Sequence, residues 1–128
     1  MAERRRKFWG WGYEDEGPDR EQTERIGQVI QARFGTAPLE ITAPPTLHEI
    51  ALREPRPRPP ASLAGFCSTS PYDRASHAYG KSFRDVVRAF RRQYPNPPDA
   101  VAFPRTEEEI VSVLDWCASA RLSAIPYG

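Results

Sequence analysis

Apolar residues recur at helical spacing in three stretches of this chain and cluster in two short runs near its end. Ile26, Val29, Ile30 and Phe34 make one stripe at i, i+3, i+4 and i+8, and predict a helix from about Arg20 to Phe34. Pro18-Asp19 opens it, and Gly35 supplies the stop. Phe83, Val86, Val87, Phe90 and Tyr94 form a second stripe, predicted to be buried. Ser82 stands at its N-cap and Asp85 at the capping-box position. The prolines Pro95, Pro97 and Pro98 are expected to end that helix. Ile110, Val113, Leu114 and Cys117 form the third stripe, after Thr106 and Glu109 in capping-box spacing. Glu107, Glu108 and Glu109 suit the positive end of the helix dipole.

That third helix lies between the two apolar runs, Ala100–Phe103 and Leu122–Ile125. Strand, helix, strand predicts a βαβ unit with a right-handed crossover. The fold class expected is therefore α+β. A helical and extended arm over residues 1–94 precedes a βαβ unit over 95–128. The second strand leads only to Pro126-Tyr127-Gly128, where a binding loop of an open sheet would begin. The expectation is an N-terminal portion of a larger protein, or a truncated product.

Between these elements the pattern weakens. Residues 36–45 carry three prolines and should be extended. Thr46-Leu-His-Glu49 is positioned to cap a short helix through Glu54. Pro55-Arg-Pro-Arg-Pro-Pro60 reads as a stiff polyproline spacer, with an SH3-type ligand the lesser alternative. Residues 61–80 look like loop, in which Arg74, His77 and Gly80 stand out; Arg74 and Gly80 would hold the loop for the helix that follows.

Composition adds bounds. The 128 residues hold 18 Lys+Arg against 17 Asp+Glu, a net charge of +1 that points to no particular partner. Mean hydropathy of −0.65 and 14 prolines argue for much extended chain. Two cysteines, Cys67 and Cys117, do not make a disulfide scaffold. Cys117 reads as a helix-face core residue and Cys67 as a loop thiol. Arg4-Arg-Arg-Lys7 lacks a following apolar region, so it is no secretory signal. No run has the length to span a membrane. The Arg-, Ala- and Pro-rich composition fits a cytoplasmic bacterial protein.

Two basic segments invite a nucleic-acid reading. In Arg4-Arg-Arg-Lys-Phe8-Trp9-Gly-Trp11-Gly-Tyr13, the rings of Trp9, Trp11 and Tyr13 would share one face of an extended backbone. They could dock on the rest of the protein or stack on bases. The acids Glu14, Asp15 and Glu16 favour docking, since they repel phosphate. Arg84, Arg88, Arg91 and Arg92 lie off the apolar stripe, as a solvated face or an anion-binding one. His77 reads as an ordinary hydrogen-bonded histidine. No catalytic and no metal-ligating residue can be named.

The stretch from Pro98 to Gly128 resembles the start of the FAD-binding domain in the vanillyl-alcohol oxidase/p-cresol methylhydroxylase superfamily. There, a strand of form P-D-x-V-x-x-P precedes a helix opening T-x-x-E-[IV], and the next strand ends in P-x-G-G-G-T-S. Pro98-Asp99 through Pro104 match the first motif, and Thr106, Glu109 and Ile110 match the second. Pro126, Tyr127 and Gly128 begin the third. The aromatic opening Trp9–Asp15 and the Arg74–His77–Gly80 spacing resemble alkyldihydroxyacetonephosphate synthases and their bacterial relatives.

The resemblance implies an FAD enzyme, with Pro126, Tyr127 and Gly128 as cofactor-binding residues and Gly128 the first glycine of a phosphate-cradling loop. FAD would carry the chemistry. That chemistry would be exchange of an acyl chain for a fatty alcohol on the way to ether lipids, or oxidation of a hydroxy acid. The implied partners are a small-molecule or lipid substrate bound by a missing C-terminal part, and a second copy in a homodimer; nucleic acid is not among them. The chain alone is expected to be inactive and to bind no FAD. The competing reading is a small basic-helix module for nucleic acid or an acidic partner.

Overall fold

The computed structural model describes residues 4–128. Its helices are α1 (Arg20–Phe34), α2 (Pro71–Ser76), α3 (Phe83–Phe90) and α4 (Glu107–Ala120). Its strands are β1 (Cys67–Ser68) and β2 (Val101–Ala102), and single 3-10 turns lie at Leu47–Glu49 and Ala61–Leu63. This is a small, helix-rich α+β arrangement around a two-stranded antiparallel sheet.

The helix ends follow the local chemistry. Asp19 accepts from the backbone of Gln22 while the Gln22 side chain accepts from Asp19 N–H, a complete capping box, and Gly35 closes α1 at φ +62°. Ser82 and Asp85 do the same for α3. At α4 only half the box forms. Thr106 accepts from Glu109 N–H, but the Glu109 carboxylate turns to Arg105 N–H at 2.6 Å. Thr46 and Glu49 also make a capping box, yet only a 3-10 turn follows. The expected helix through Glu54 is absent because Ile50 leaves in extended backbone and enters the core.

Phe8, Ile50, Ala75, Ala89 and Tyr94 form that core, with Trp9, Leu47, Leu52, Tyr72, Ala78 and Tyr79 packed around it. Phe8 is 5% exposed. Trp9 meets Phe90 edge to face at 5.0 Å, and Phe8 meets Tyr94 at 6.1 Å. The aromatic opening therefore docks within the chain. It does so by folding back, not as the expected extended ribbon with one aromatic face. Arg6 bridges Tyr13, Lys7 N–H donates to Gly12 C=O, and Gly12 takes φ +81° to make the turn. Phe8 and Trp9 go inward as a result, while Trp11 stays exposed and donates its indole N–H to Lys81 C=O.

The α1 stripe faces solvent at Ile26, Val29, Ile30 and Phe34. Two expectations at α3 need correction. Phe83 is 86% exposed, and Ala89 is the α3 residue that enters the core. An eight-residue helix can present only a narrow inward face, and Phe83, in its first turn, falls off it. That helix stops at Phe90, before the prolines, because Arg92 turns into left-handed backbone at φ +57°.

The βαβ unit does not form. β2 pairs with β1 in antiparallel register, Cys67 opposite Ala102 and Ser68 opposite Val101. Leu122–Ile125, expected as the second parallel strand, makes no ladder and carries Ile125 84% exposed. β2 takes its partner from the loop at 67–68, and Phe103 N–H extends the pairing to Phe66 C=O. A lone parallel pair would leave its faces uncovered. Instead α4 packs against the turn at Ala61–Leu63, where Leu63 is buried.

Three elements lie inside residues 61–80, which the sequence marks as loop: the 3-10 turn at Ala61–Leu63, β1 and α2. The signal for α2 lies in Ser70-Pro71-Tyr72-Asp73: Ser70 caps, and Pro71 occupies the first helical position.

Candidate functional site

α2 positions the residues of interest. Asp73, in its first turn, accepts from the hydroxyls of Ser68 and Ser70, which ties β1 to the helix start. Arg74 points inward. Its Nε donates to Pro98 C=O at 2.8 Å and its Nη2 to Arg53 C=O at 2.5 Å. Arg53 in turn binds the Asp99 carboxylate and donates to Pro97 C=O at 2.9 Å. Arg56 adds a backbone N–H to Asp99 at 3.0 Å. These bonds fasten the Pro97–Asp99 segment to residues 53–56 and to α2. Arg74 thus holds the entry to β2, rather than the approach to α3 expected of it.

His77 caps the C-terminal end of α2. Its Nδ1 lies 2.7 Å from Asp73 C=O. A carbonyl only accepts, so Nδ1 carries the proton and the neutral ring has Nε2 bare. The imidazole lies between two other rings: Phe103, 5.7 Å away at 78°, and Tyr127, 4.6 Å away at 62°. Tyr127 donates its hydroxyl to Tyr79 C=O at 3.1 Å, with Ser76 C=O at 3.4 Å. Burial pushes the Tyr127 phenol up, and the Asp85 carboxylate acts in the same direction.

Of the three residues expected to bind cofactor, Tyr127 is thus seated against α2. Pro126 and Gly128 are exposed, and nothing lies within 4 Å of where a Gly128 side chain would begin. These residues do not by themselves enclose a dinucleotide. The Tyr127 hydroxyl is spent on carbonyls. An open cleft of about 330 Å³ bordered by Phe66, Cys67, Asp73, Phe103 and Arg105 carries a carboxylate beside its one cation. Burial, aided by nearby Cys117, pushes the Cys67 thiol up, away from reactive thiolate. Sequence reasoning missed the Tyr127–His77 contact, because 50 residues separate the two side chains.

The basic segments are largely paired. Arg4 binds Asp15 and Glu16, Arg5 faces Glu14, and the Arg5 guanidinium lies over the Tyr72 ring. On α3 and just beyond it, Arg88 faces Asp85 and Arg92 faces Glu49, which leaves Arg84 and Arg91 outward. Among the described residues no helix is long and apolar enough to cross a membrane. Nor do three or more His, Cys, Asp or Glu gather as a metal site.

Comparison with known proteins gives a partial match. The chain is 32% identical over 57 residues to an alkyldihydroxyacetonephosphate synthase of Trypanosoma brucei brucei, covering 44% of this chain and 9% of that protein. It is 33% identical over 55 residues to the synthase of Dictyostelium discoideum, covering 43% of this chain and 9% of that protein. These matches relate the chain to alkyldihydroxyacetonephosphate synthases, which are enzymes, over a span of less than a tenth of their length. No protein-family profile matches the chain. No solved structure matches it either.

Proposed function

We propose that this chain is the N-terminal portion of an FAD-dependent enzyme resembling the alkyldihydroxyacetonephosphate synthases. On this reading residues 1–94 form an arm and 95–128 open a flavin-binding domain of the p-cresol methylhydroxylase type. The observation that carries the proposal is the match to the two synthases. The absent βαβ pairing lends it no support, so it rests on sequence and not on the two-stranded sheet.

The site contributes one supporting feature: Tyr127, next to Gly128, is docked on the carbonyl of Tyr79. FAD, when bound, would supply the reactive centre. This chain's part would be to place the backbone that approaches the phosphates, and no step of the reaction is assigned to its residues. The substrate would be a lipid or small hydroxy acid, the assembly a homodimer and the location the cytoplasm. The ion pairs at Arg4, Arg5, Arg88 and Arg92 favour this reading over a nucleic-acid module, since paired cations release few counterions from phosphate.

The test begins with the reading frame beyond Gly128. The proposal expects Gly-Gly-Thr-Ser to follow, and the purified gene product to show flavin absorbance. A continuation without that loop, or a colourless product retained on DNA in a salt-dependent way, overturns it.

A further inference from the structure

The geometry points to His77 as the residue that positions the Pro126–Gly128 segment, by holding Tyr127 against the C-terminal end of α2. Residues 123–128 are exposed, and the hydrogen bonds found for them among the described residues all come from the Tyr127 hydroxyl. The place of Gly128 is therefore set by where Tyr127 sits.

His77 is built to receive it. The Nδ1–H bond to Asp73 C=O fixes the plane of the imidazole. Phe103, at the end of β2, closes one side of the ring, and Tyr127 takes another at 4.6 Å. Inclined aromatic pairs at this separation attract through the edge of one ring and the face of the other. The two carbonyls that the Tyr127 hydroxyl meets, Ser76 and Tyr79, flank His77 in sequence. A helix leaves its last carbonyls without partners; Ser76 offers one of these and Tyr79, just past the helix, offers the nearer acceptor, both beside the imidazole. One small patch thus offers a ring contact and a hydrogen bond to the same side chain.

The seat itself is independent of cofactor. Its consequence rests on the flavin reading above: the Gly128 backbone would start its phosphate approach from a fixed point instead of a free tail. His77 is then a positioning residue that acts through Tyr127.

NMR of the 128-residue chain tests the seat. Contacts between the His77 and Tyr127 ring protons are expected, with residues 124–128 ordered on the picosecond–nanosecond scale. Tyr127→Leu, at an exposed position, should abolish the order of 124–128 and leave the Trp9–Phe90 contact intact. Tyr127→Phe should keep part of it through the ring alone. His77→Ala should free the tail, and His77→Phe should restore part of the contact. A tail already mobile in the wild type overturns the inference, as does a Tyr127 that stays put in His77→Ala. If His77→Ala also loses the Trp9–Phe90 contact, the Tyr127→Leu and Tyr127→Phe pair decides.

A second measurement separates this inference from the functional reading. In a gene product carrying the glycine loop, His77→Ala should weaken flavin affinity by roughly tenfold at most, the upper value of a single aromatic pair. An ordered tail that His77→Ala releases, with flavin affinity unchanged, keeps the seat and overturns the phosphate-loop consequence.

Discussion

Arg74 reaches from α2 to the carbonyl of Pro98, 24 positions on, with its Nε 2.8 Å from the oxygen. The side chain is buried, and its partners are backbone carbonyls of Pro98 and Arg53 rather than a carboxylate. A buried guanidinium is tolerated when its donors are satisfied, and these two bonds do that. Pro97 is fully buried beside this junction. Arg74 therefore ties the segment entering β2 to the backbone at Arg53, alongside the bonds that Arg53 and Arg56 make to Pro97 and Asp99.

Replacing Arg74 by Met should lower stability by about 2–4 kcal/mol, because both carbonyls lose a charged donor. Lysine should recover little, since a single ammonium on a flexible stem does not reproduce the fork. The urea midpoint measures both changes. A Met variant as stable as the wild type would show that the carbonyls find other partners.

Asp99 should give the protein an acid-sensitive limb. Burial pushes its carboxyl up, but hydrogen bonds from Arg53 and Arg56 together outweigh burial and bring it from 3.8 to about 2. A carboxyl lowered on folding stabilises the native state fully above its unfolded value. That contribution drains away as pH falls toward about 2. It amounts to about 2 kcal/mol. Asp99→Asn should remove it at neutral pH and flatten the stability curve between pH 4 and 2, as read by urea melts across that range.

Tyr94 should tolerate loss of its hydroxyl. The ring is in the core, its oxygen is buried without a hydrogen-bond partner, and burial, with Tyr79 nearby, pushes the phenol up. Tyr94→Phe removes an unsatisfied polar atom and keeps the ring contacts. The expected change is between zero and about 1 kcal/mol of added stability. A marked drop in the thermal midpoint would instead reveal a hidden partner for the oxygen.

Arg121 closes α4 in left-handed backbone, φ +55° and ψ +47°. Glycine adopts that conformation without the Cβ clash. Arg121→Gly should add about 0.5–1 kcal/mol, whereas Arg121→Val should cost at least as much. Thermal unfolding of the two variants, compared with wild type, measures the difference.

The sequence was most informative where structure is local. The span of α1 with its opening at Asp19, the cap pair Ser82/Asp85, and the bounds of α4 all follow from neighbouring side chains and backbone. The apolar run at 100–103 marks a strand, and β2 forms inside it, though with an antiparallel partner. Burial was less legible. Val29 has the spacing of a core residue and lies in solvent, because periodicity marks a face without saying whether anything covers it. α2 passed unread since six residues are too few to display a period.

The chain's own chemistry therefore determined where α1 and α4 coil, where α3 begins, and that Cys117 lies on the inner face of a helix. Only the tertiary structure decided that β2 pairs backwards with residues 67–68, that Arg74 clasps the chain at Pro98, and that Tyr127 rests on His77. The physical reason is range. A cap or a stripe is settled within one or two turns of chain, whereas strand partners and ring contacts depend on which distant surfaces packing brings together.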